Sequence, residues 1–184
     1  MRRGLAALLL SLSWTLAAGA AGPAPAAKKT PTPAAAPAEQ ACTAPEFHQF
    51  DFWIGEWDVV NSEGKPAGQN RVVSILNGCA LQENWTSAAG HKGTSLNVYD
   101  EPNRKWHQSW VDDSGGLLQL DGEFRDGRMV LVGRRPKKDR SGFLLHRITW
   151  TIVSEDRVQQ KWEASGNEGR TWTPVFDGTY VKKK

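Results

Sequence analysis

Ten short segments of alternating apolar and polar residues, separated by glycine, asparagine and aspartate turns, constrain the fold of this chain most strongly. Alternation with a period of two is typical of β-strands that bury one face, and no long apolar stripe at helical spacing interrupts the series. The connections are mostly short, as at Asn77-Gly78 and Asp126-Gly127, and such dipeptides favour tight hairpins. The pattern predicts strands at residues 50–60, 69–76, 80–87, 94–99, 105–111, 117–124, 128–134, 143–153, 157–164 and 171–181.

Consecutive hairpins without a helical crossover imply an antiparallel, up-and-down sheet. An open sheet of this size would expose two long apolar edges, and the sequence offers no helix to cover them. Closure into a barrel removes both edges, and a barrel of about ten strands is wide enough to contain a cavity. We therefore predict an all-β fold, a closed antiparallel up-and-down barrel of about ten strands at residues 46–184.

The N-terminal part of the chain differs in composition from the predicted barrel. Arg2 and Arg3 precede an apolar run at residues 5–12 and small residues at 18–20, the pattern of an export signal. Residues 21–45 are mainly alanine, proline, lysine and threonine, which favour an extended linker. We predict a signal peptide at residues 1–20, a linker at 21–45 and an exported mature chain, periplasmic or secreted, that is not inserted in a membrane.

The chain has two cysteines, Cys42 and Cys79. Export would place them in an oxidising compartment, where we expect one disulfide between the end of the linker and the barrel. Two free thiols or an intermolecular disulfide are the alternatives. The spacing is not that of a redox CxxC motif, so a catalytic cysteine is not expected.

The formal net charge of +3 does not indicate a nucleic-acid partner. Four of the 23 basic side chains, but only one of the 20 acidic ones, precede Glu46, so the barrel segment is neutral. Its basic residues cluster only at 134–140 and 182–184, whereas nucleic-acid binding requires a basic surface larger than one loop.

The chain contains nine tryptophans against two tyrosines, and three of the tryptophans repeat one arrangement. In each, a Glu or Gln stands two residues before the Trp, near the end of a predicted strand. Period two places both members of a pair on the same face of the sheet. The three pairs are Glu83 with Trp85, Gln108 with Trp110, and Gln160 with Trp162.

The opposite faces of these strands show which side points inward. In the strand at 157–164, the residues that point away from the tryptophan face are polar or charged side chains suited to solvent. They are Arg157, Gln159, Lys161 and Glu163. The tryptophan face is therefore predicted to line the barrel interior. The same alternation places Trp106 beside Trp110, His146 beside Trp150, and Trp172 beside Phe176 and Tyr180 on the inner face.

A concave pocket with aromatic walls and a few convergent polar groups is the usual makeup of a small-molecule site. In the alternative interpretation, the tryptophans form an ordinary core and each Glu or Gln accepts a hydrogen bond from an indole N–H. Repeated buried Glu and Gln are costly without partners, which favours the pocket. The residues predicted to bind a small, partly apolar molecule are Glu83, Trp85, Asn97, Gln108, Trp110, His146, Trp150, Gln160 and Trp162.

Two other classes of function remain open. The barrel could be an inert scaffold whose surface or linker meets a partner in the cell envelope, or an enzyme that uses the interior Glu83 and His146. The sequence has no GxSxG elbow, P-loop, HExxH motif or zinc-type Cys/His spacing. No catalytic residue is therefore assigned, and no metal is expected.

The segment FDFWIGEWDV at 50–59 carries a Gly-x-Trp signature, Gly55 and Trp57, that resembles the first strand of the lipocalins and their calycin relatives. Together with GCALQENW at 78–85, WHQSWVDDSG at 106–115 and QKWEASGNEGRTW at 160–172, it resembles a bacterial family of exported calycin-like proteins defined only as a domain of unknown function. The resemblance implies a barrel in which Gly55 and Trp57 are structural, and it implies no activity.

More distantly related nitrobindin-like barrels bind haem through a histidine near the C-terminus. The last two predicted strands lack histidine, so neither haem nor another cofactor is expected.

Overall fold

Ten antiparallel strands form a closed up-and-down barrel in the computed structural model, which describes residues 41–184. Each strand pairs with its neighbours in sequence, and the first strand pairs with the last. The predicted all-β barrel is therefore confirmed. The predicted signal peptide at 1–20, and the predicted linker as far as residue 40, lie outside the described residues. The strands are β1 (Gly55–Asn61), β2 (Pro66–Ile75), β3 (Ala80–Ser87), β4 (Lys92–Asp100), β5 (Lys105–Asp112), β6 (Leu117–Arg125), β7 (Arg128–Pro136), β8 (Phe143–Ser154), β9 (Arg157–Ser165) and β10 (Thr173–Lys182).

The segment before β1 closes one end of the barrel. It contains two short 3-10 helices, Pro45–His48 and Asp51–Trp53. Phe50 and Trp53 are fully buried, and their rings stack at a centroid distance of 5.0 Å. We call residues 45–54 the plug. The predicted strand start at residue 50 is wrong, because the chain must turn across the barrel end to bury both rings.

Tryptophans from the barrel wall contact the plug. The rings of Trp106 and Trp150 meet the Phe50 ring edge-on, at 5.6 and 5.1 Å. Trp57 follows the plug on β1, and its indole Nε1 donates a hydrogen bond to the Trp53 carbonyl oxygen at 3.0 Å. The aromatic cluster is buried in this half of the barrel, and it accounts for four of the tryptophans.

A disulfide joins Cys42 to Cys79, as predicted, so the alternatives with free or intermolecular thiols do not apply. Cys79 lies at the connection between β2 and β3, next to the third 3-10 helix, Leu76–Gly78. Cys42 precedes the plug by three residues. The disulfide thus ties the chain before the plug to the barrel wall.

On the outer face of β8 to β10, one sequence prediction fails and another is only partly met. The register between β9 and β10 shifts between Pro174 and Phe176, and this bulge interrupts the alternation of faces. Trp172 consequently lies outside the barrel, where the Arg147 guanidinium stacks on its ring at 4.2 Å. Glu163 does lie on the outer face, but it is only 8% exposed because it forms ion pairs with Arg147 and Lys161.

Candidate functional site

The half of the barrel away from the plug contains a cavity of about 220 Å³. Trp106, near the start of β5, contacts the plug, whereas Trp110, four residues further along the same strand, lines the cavity. The barrel interior is therefore solid at one end and hollow toward the other. The cavity is lined by Glu83, Trp85, Gln108, Trp110, Leu118, Ile148, Gln160, Trp162, Val175, Phe176 and Tyr180.

All six members of the three sequence pairs line this cavity. The other lining residues are apolar or aromatic side chains that were not predicted as site residues. Phe176 and Tyr180 could have been included, because both belong to the predicted inner face of the last strand. Leu118, Ile148 and Val175 carry no sequence signal that separates them from ordinary barrel residues.

A row of hydrogen-bonded polar side chains crosses one wall, from β2 to β5. The Glu83 carboxylate accepts hydrogen bonds from Asn70 Nδ2 at 3.1 Å and from Ser95 Oγ at 2.7 Å. Asn97 Nδ2 donates to Ser95 Oγ at 3.0 Å, and Gln108 Nε2 donates to Asn97 Oδ1 at 2.8 Å. All five side chains are buried. Asn97, a predicted ligand contact, instead lies behind the lining and positions Gln108.

The polar row holds a carboxyl group whose ionisation is costly. Burial raises the pKa of Glu83 from 4.5 to about 7, and the hydrogen bonds from Ser95 and Asn70 offset only part of that rise. Near neutral pH, Glu83 therefore exists in both its protonated and its anionic form. Burial, and to a lesser degree the charge of Glu83, raises the pKa of Tyr180 well above 10. Tyr180 remains a phenol and donates its hydrogen bond to Gln160 Oε1.

His146 supports the cavity wall from behind. Its Nδ1 accepts a hydrogen bond from the Trp162 indole Nε1 at 3.0 Å, which places the proton of the neutral ring on Nε2. Nε2 has no hydrogen-bond partner among the described residues. Burial, with a smaller contribution from the charge of Arg135, lowers the pKa of His146, so the ring is neutral. His146 is not part of the lining.

Trp150, the last of the nine predicted residues, belongs to the aromatic core at the plug. It is fully buried, and its ring centroid lies 5.1 Å from that of Phe50 and 5.2 Å from that of Trp53. Six of the nine predicted residues therefore line the cavity, two support it, and Trp150 lies elsewhere.

The acid and amide groups of the three pairs are not hydrogen-bond partners of their tryptophans. Glu83 is hydrogen-bonded to Asn70 and Ser95, and Gln108 is hydrogen-bonded to Asn97. Gln160 accepts a hydrogen bond from Tyr180. The indole N–H of Trp162 donates its hydrogen bond to His146. The interpretation in which each Glu or Gln satisfies its neighbouring indole is therefore wrong.

Glycines inside the strands allow the aromatic rings to lie against the wall, which sequence reasoning missed. A Cβ at Gly93 would lie 2.1 Å from Trp110 Cζ2, and one at Gly68 would lie 2.7 Å from Trp85 Cη2. A Cβ at Gly178 would lie 2.5 Å from Phe176 Cζ. Glycine within a strand is the available signal, because it marks a close approach of other groups to the backbone.

The remaining histidines lie on the surface, as expected. His107 Nδ1 lies 2.8 Å from Asp121 Oδ1 on the outer face, and His48 Nδ1 lies 2.8 Å from Asp51 Oδ2. His91 is exposed. Among residues 41–184, no three His, Cys, Asp or Glu side chains come together in a group that could hold a metal ion.

The fold and site define a class of protein, a closed up-and-down β-barrel with an aromatic cavity beside a buried carboxyl group. No family model matches the chain, and no curated protein matches it. The helices within the described range are all too short to cross a membrane.

Proposed function

We propose that this protein binds a small, partly apolar molecule in the barrel cavity. The observation that carries the proposal is the convergence of three Glu/Gln–Trp pairs, from β3, β5 and β9, on one cavity of about 220 Å³. Indoles offer apolar area and stacking, while the carboxyl and amide groups orient the polar part of a ligand.

The volume limits the size of the ligand. Pockets for drug-sized molecules usually measure about 300–1,000 Å³, and an apolar cavity of about 150 Å³ accommodates benzene. The cavity of about 220 Å³ therefore suits a molecule somewhat larger than benzene. A filled core would have favoured the scaffold hypothesis, so the cavity supports binding over that alternative.

Intrinsic fluorescence tests the proposal, because three tryptophans line the cavity. A library of small amines, alcohols, acids and aromatic compounds is titrated while tryptophan emission is followed. We expect at least one compound to shift the emission saturably, and Trp110→Phe or Trp162→Phe to change that response. The matched control is Trp172→Phe on the outer face, which should leave the response unchanged. If no compound shifts the emission, the binding proposal fails.

Export and family membership are also proposed. The Cys42–Cys79 disulfide supports a periplasmic or secreted location, because such bonds persist in oxidising compartments. The barrel topology supports membership of the calycin-like family that the sequence motifs resemble. Cell fractionation, with mass spectrometry of the mature N-terminus, tests export. A reduced, cytoplasmic protein with an intact N-terminus would contradict it.

One observation favours an enzyme as a second candidate. Burial raises the pKa of Glu83 to about 7 beside a cavity, the value suited to a general acid or base. A turnover whose rate follows one ionisation near pH 7, and which disappears in Glu83→Gln, would support this candidate. The cavity lining contains no Cys or Lys, and Ser95, whose hydroxyl donates a hydrogen bond to Glu83, is not among the lining residues, so binding is the better supported function.

A further inference from the structure

We propose that the ligand of the cavity is a small organic ammonium compound, whose positive charge lies beside Glu83 among the aromatic side chains. This inference rests on the proposed binding function and specifies the chemical class of the ligand. It follows from four features of the site: the charge of the lining, the unused acceptors of the polar row, the aromatic wall and the size of the cavity.

The charge of the lining is the first feature. Glu83 is the one carboxylate among the lining residues, and that lining contains no Lys, Arg or His. Its two hydrogen-bond donors, Asn70 and Ser95, are uncharged. A buried anion is costly without a counter-ion, and here the barrel provides none. A ligand that brings a cation supplies the missing charge, whereas an anionic ligand would be repelled.

The polar row also leaves acceptors rather than donors for the ligand. Each Glu83 carboxylate oxygen accepts one hydrogen bond from the protein and can accept another. Gln108 uses its amide nitrogen toward Asn97 Oδ1, so its carbonyl oxygen is available to the cavity. An ammonium group bears only donors or polarised C–H groups, and it therefore matches this arrangement.

The aromatic wall is the third feature. Trp85 lies two residues after Glu83 on the same face of β3, and its ring centroid is 6.0 Å from that of Phe176 and 6.4 Å from that of Tyr180. Trp110 and Trp162 complete the lining. Aromatic faces attract cations within about 6 Å of the ring centroid, most strongly at tryptophan, and sites for quaternary ammonium ligands use such aromatic cages.

The size of the cavity completes the assignment. About 220 Å³ fits a compact ammonium compound but excludes polyamines and peptides of several residues. Choline is a suitable probe, because its trimethylammonium head is only slightly smaller than a benzene ring. Neohexyl alcohol has the same shape with carbon in place of the charged nitrogen, and it serves as the uncharged control.

The titratable groups around the site predict a pH dependence for cation binding. The strands packed against Glu83 present Asn70, Ser95 and Gln108, which do not titrate, and Tyr180 faces it as a phenol. His146 lies behind Trp162 and is neutral. Glu83 is thus the group that controls the charge of the cavity. Since its pKa is about 7, choline affinity should fall about tenfold for each pH unit below 7 and level off above it.

The experiment compares the two probes on the native protein by tryptophan fluorescence and calorimetry at pH 8. We expect choline to bind at least about tenfold more tightly than neohexyl alcohol, since a desolvated cation–π contact and a buried ion pair act together. Glu83→Gln should abolish the preference. The matched control is Glu123→Gln, which neutralises a carboxylate that is 60% exposed on the outer face and should retain the preference.

The outcomes separate this inference from the proposed function. If neohexyl alcohol binds as well as or better than choline, or if only a neutral compound of the library binds, the ammonium assignment is wrong and the binding function stands. If neither probe nor any library compound binds, both fail. The comparison of choline with neohexyl alcohol on the wild type tests the ammonium assignment even if Glu83→Gln does not fold.

Discussion

The Trp162 indole Nε1 donates a hydrogen bond of 3.0 Å to Nδ1 of His146, one strand away in the barrel interior. This contact fixes the orientation of a cavity-lining indole through a residue that does not itself touch the cavity. It also fixes the tautomer of the imidazole, because a ring nitrogen that accepts a hydrogen bond carries no proton.

The tautomer and charge of His146 can be measured directly. Burial lowers the pKa of His146, so the folded protein binds fewer protons there than the unfolded chain, and stability should be lost as pH falls below 6.5. We expect nitrogen NMR to show the neutral Nε2–H tautomer at pH 7. Trp162→Phe should raise the pKa of His146 and cost about 1–2 kcal/mol of stability. Trp172→Phe is the control. A wild-type His146 that titrates at or above pH 6.5, or that carries its proton on Nδ1, would contradict the assignment.

Glu83 should make the free energy of unfolding depend on pH in the opposite direction. The carboxyl pKa is 4.5 in an ordinary environment and about 7 in the barrel, so between these values the folded state binds more protons. Stability should therefore fall as pH rises from 4.5 to 7 and stay constant above. The loss between pH 5 and 8 should be on the order of 3 kcal/mol relative to Glu83→Gln.

This effect is measured by urea unfolding at pH 5 and pH 8. The proteins compared are the wild type, Glu83→Gln and Glu123→Gln. Glu123→Gln should keep the wild-type dependence, because its carboxylate is exposed and forms an ion pair with Arg125. Parallel pH profiles of the wild type and Glu83→Gln would show that Glu83 titrates normally.

Gly93→Ala tests whether the close approach of Trp110 shapes the cavity. The new methyl group would overlap Trp110 Cζ2, so the indole must move from the wall. We expect a loss of about 1–3 kcal/mol in stability, as for overpacked cores, and a shift in tryptophan emission. Trp110→Phe in the same chain should restore part of the stability because the overlapping ring atoms are removed. Gly166→Ala is the control, since its nearest neighbour, Leu144 Cδ2, is 3.8 Å away. Equal stability of the two alanine variants would refute the contact.

The Cys42–Cys79 disulfide should stabilise the protein by restricting the conformations of the unfolded chain, and in the folded state it ties the chain before the plug to the barrel wall. The bond closes a loop with a sequence separation of 37 residues. The chain-entropy relation gives about 4 kcal/mol for such a loop. We expect Cys42→Ser/Cys79→Ser to lower the free energy of unfolding by up to that amount and to speed hydrogen exchange in the plug before the strands. A reducing agent should reproduce the effect in the wild type and change nothing in the variant. An unchanged unfolding midpoint after reduction would contradict the role.

Much of the candidate site could be predicted because alternation is a local property. Residues two apart in a strand share a face, so Glu83 with Trp85 and Gln160 with Trp162 were placed together from spacing alone. The rule failed for Trp172, where a bulge in β10 changes the face. It also could not separate Trp150 from the lining, because residues on one inner face can lie at different depths along the barrel axis.

The sequence by itself determined the closed ten-stranded barrel, its inward face and its disulfide, since strand alternation, hairpin turns and cysteine count are all local or compositional signals. Only the tertiary structure decided which half of the barrel is hollow. That outcome depends on Phe50 and Trp53 filling one end against Trp106 and Trp150, residues distant in sequence. The tertiary structure also decided that Glu83 lines the cavity with no basic side chain beside it, because its burial and its charged neighbours depend on every strand that faces it.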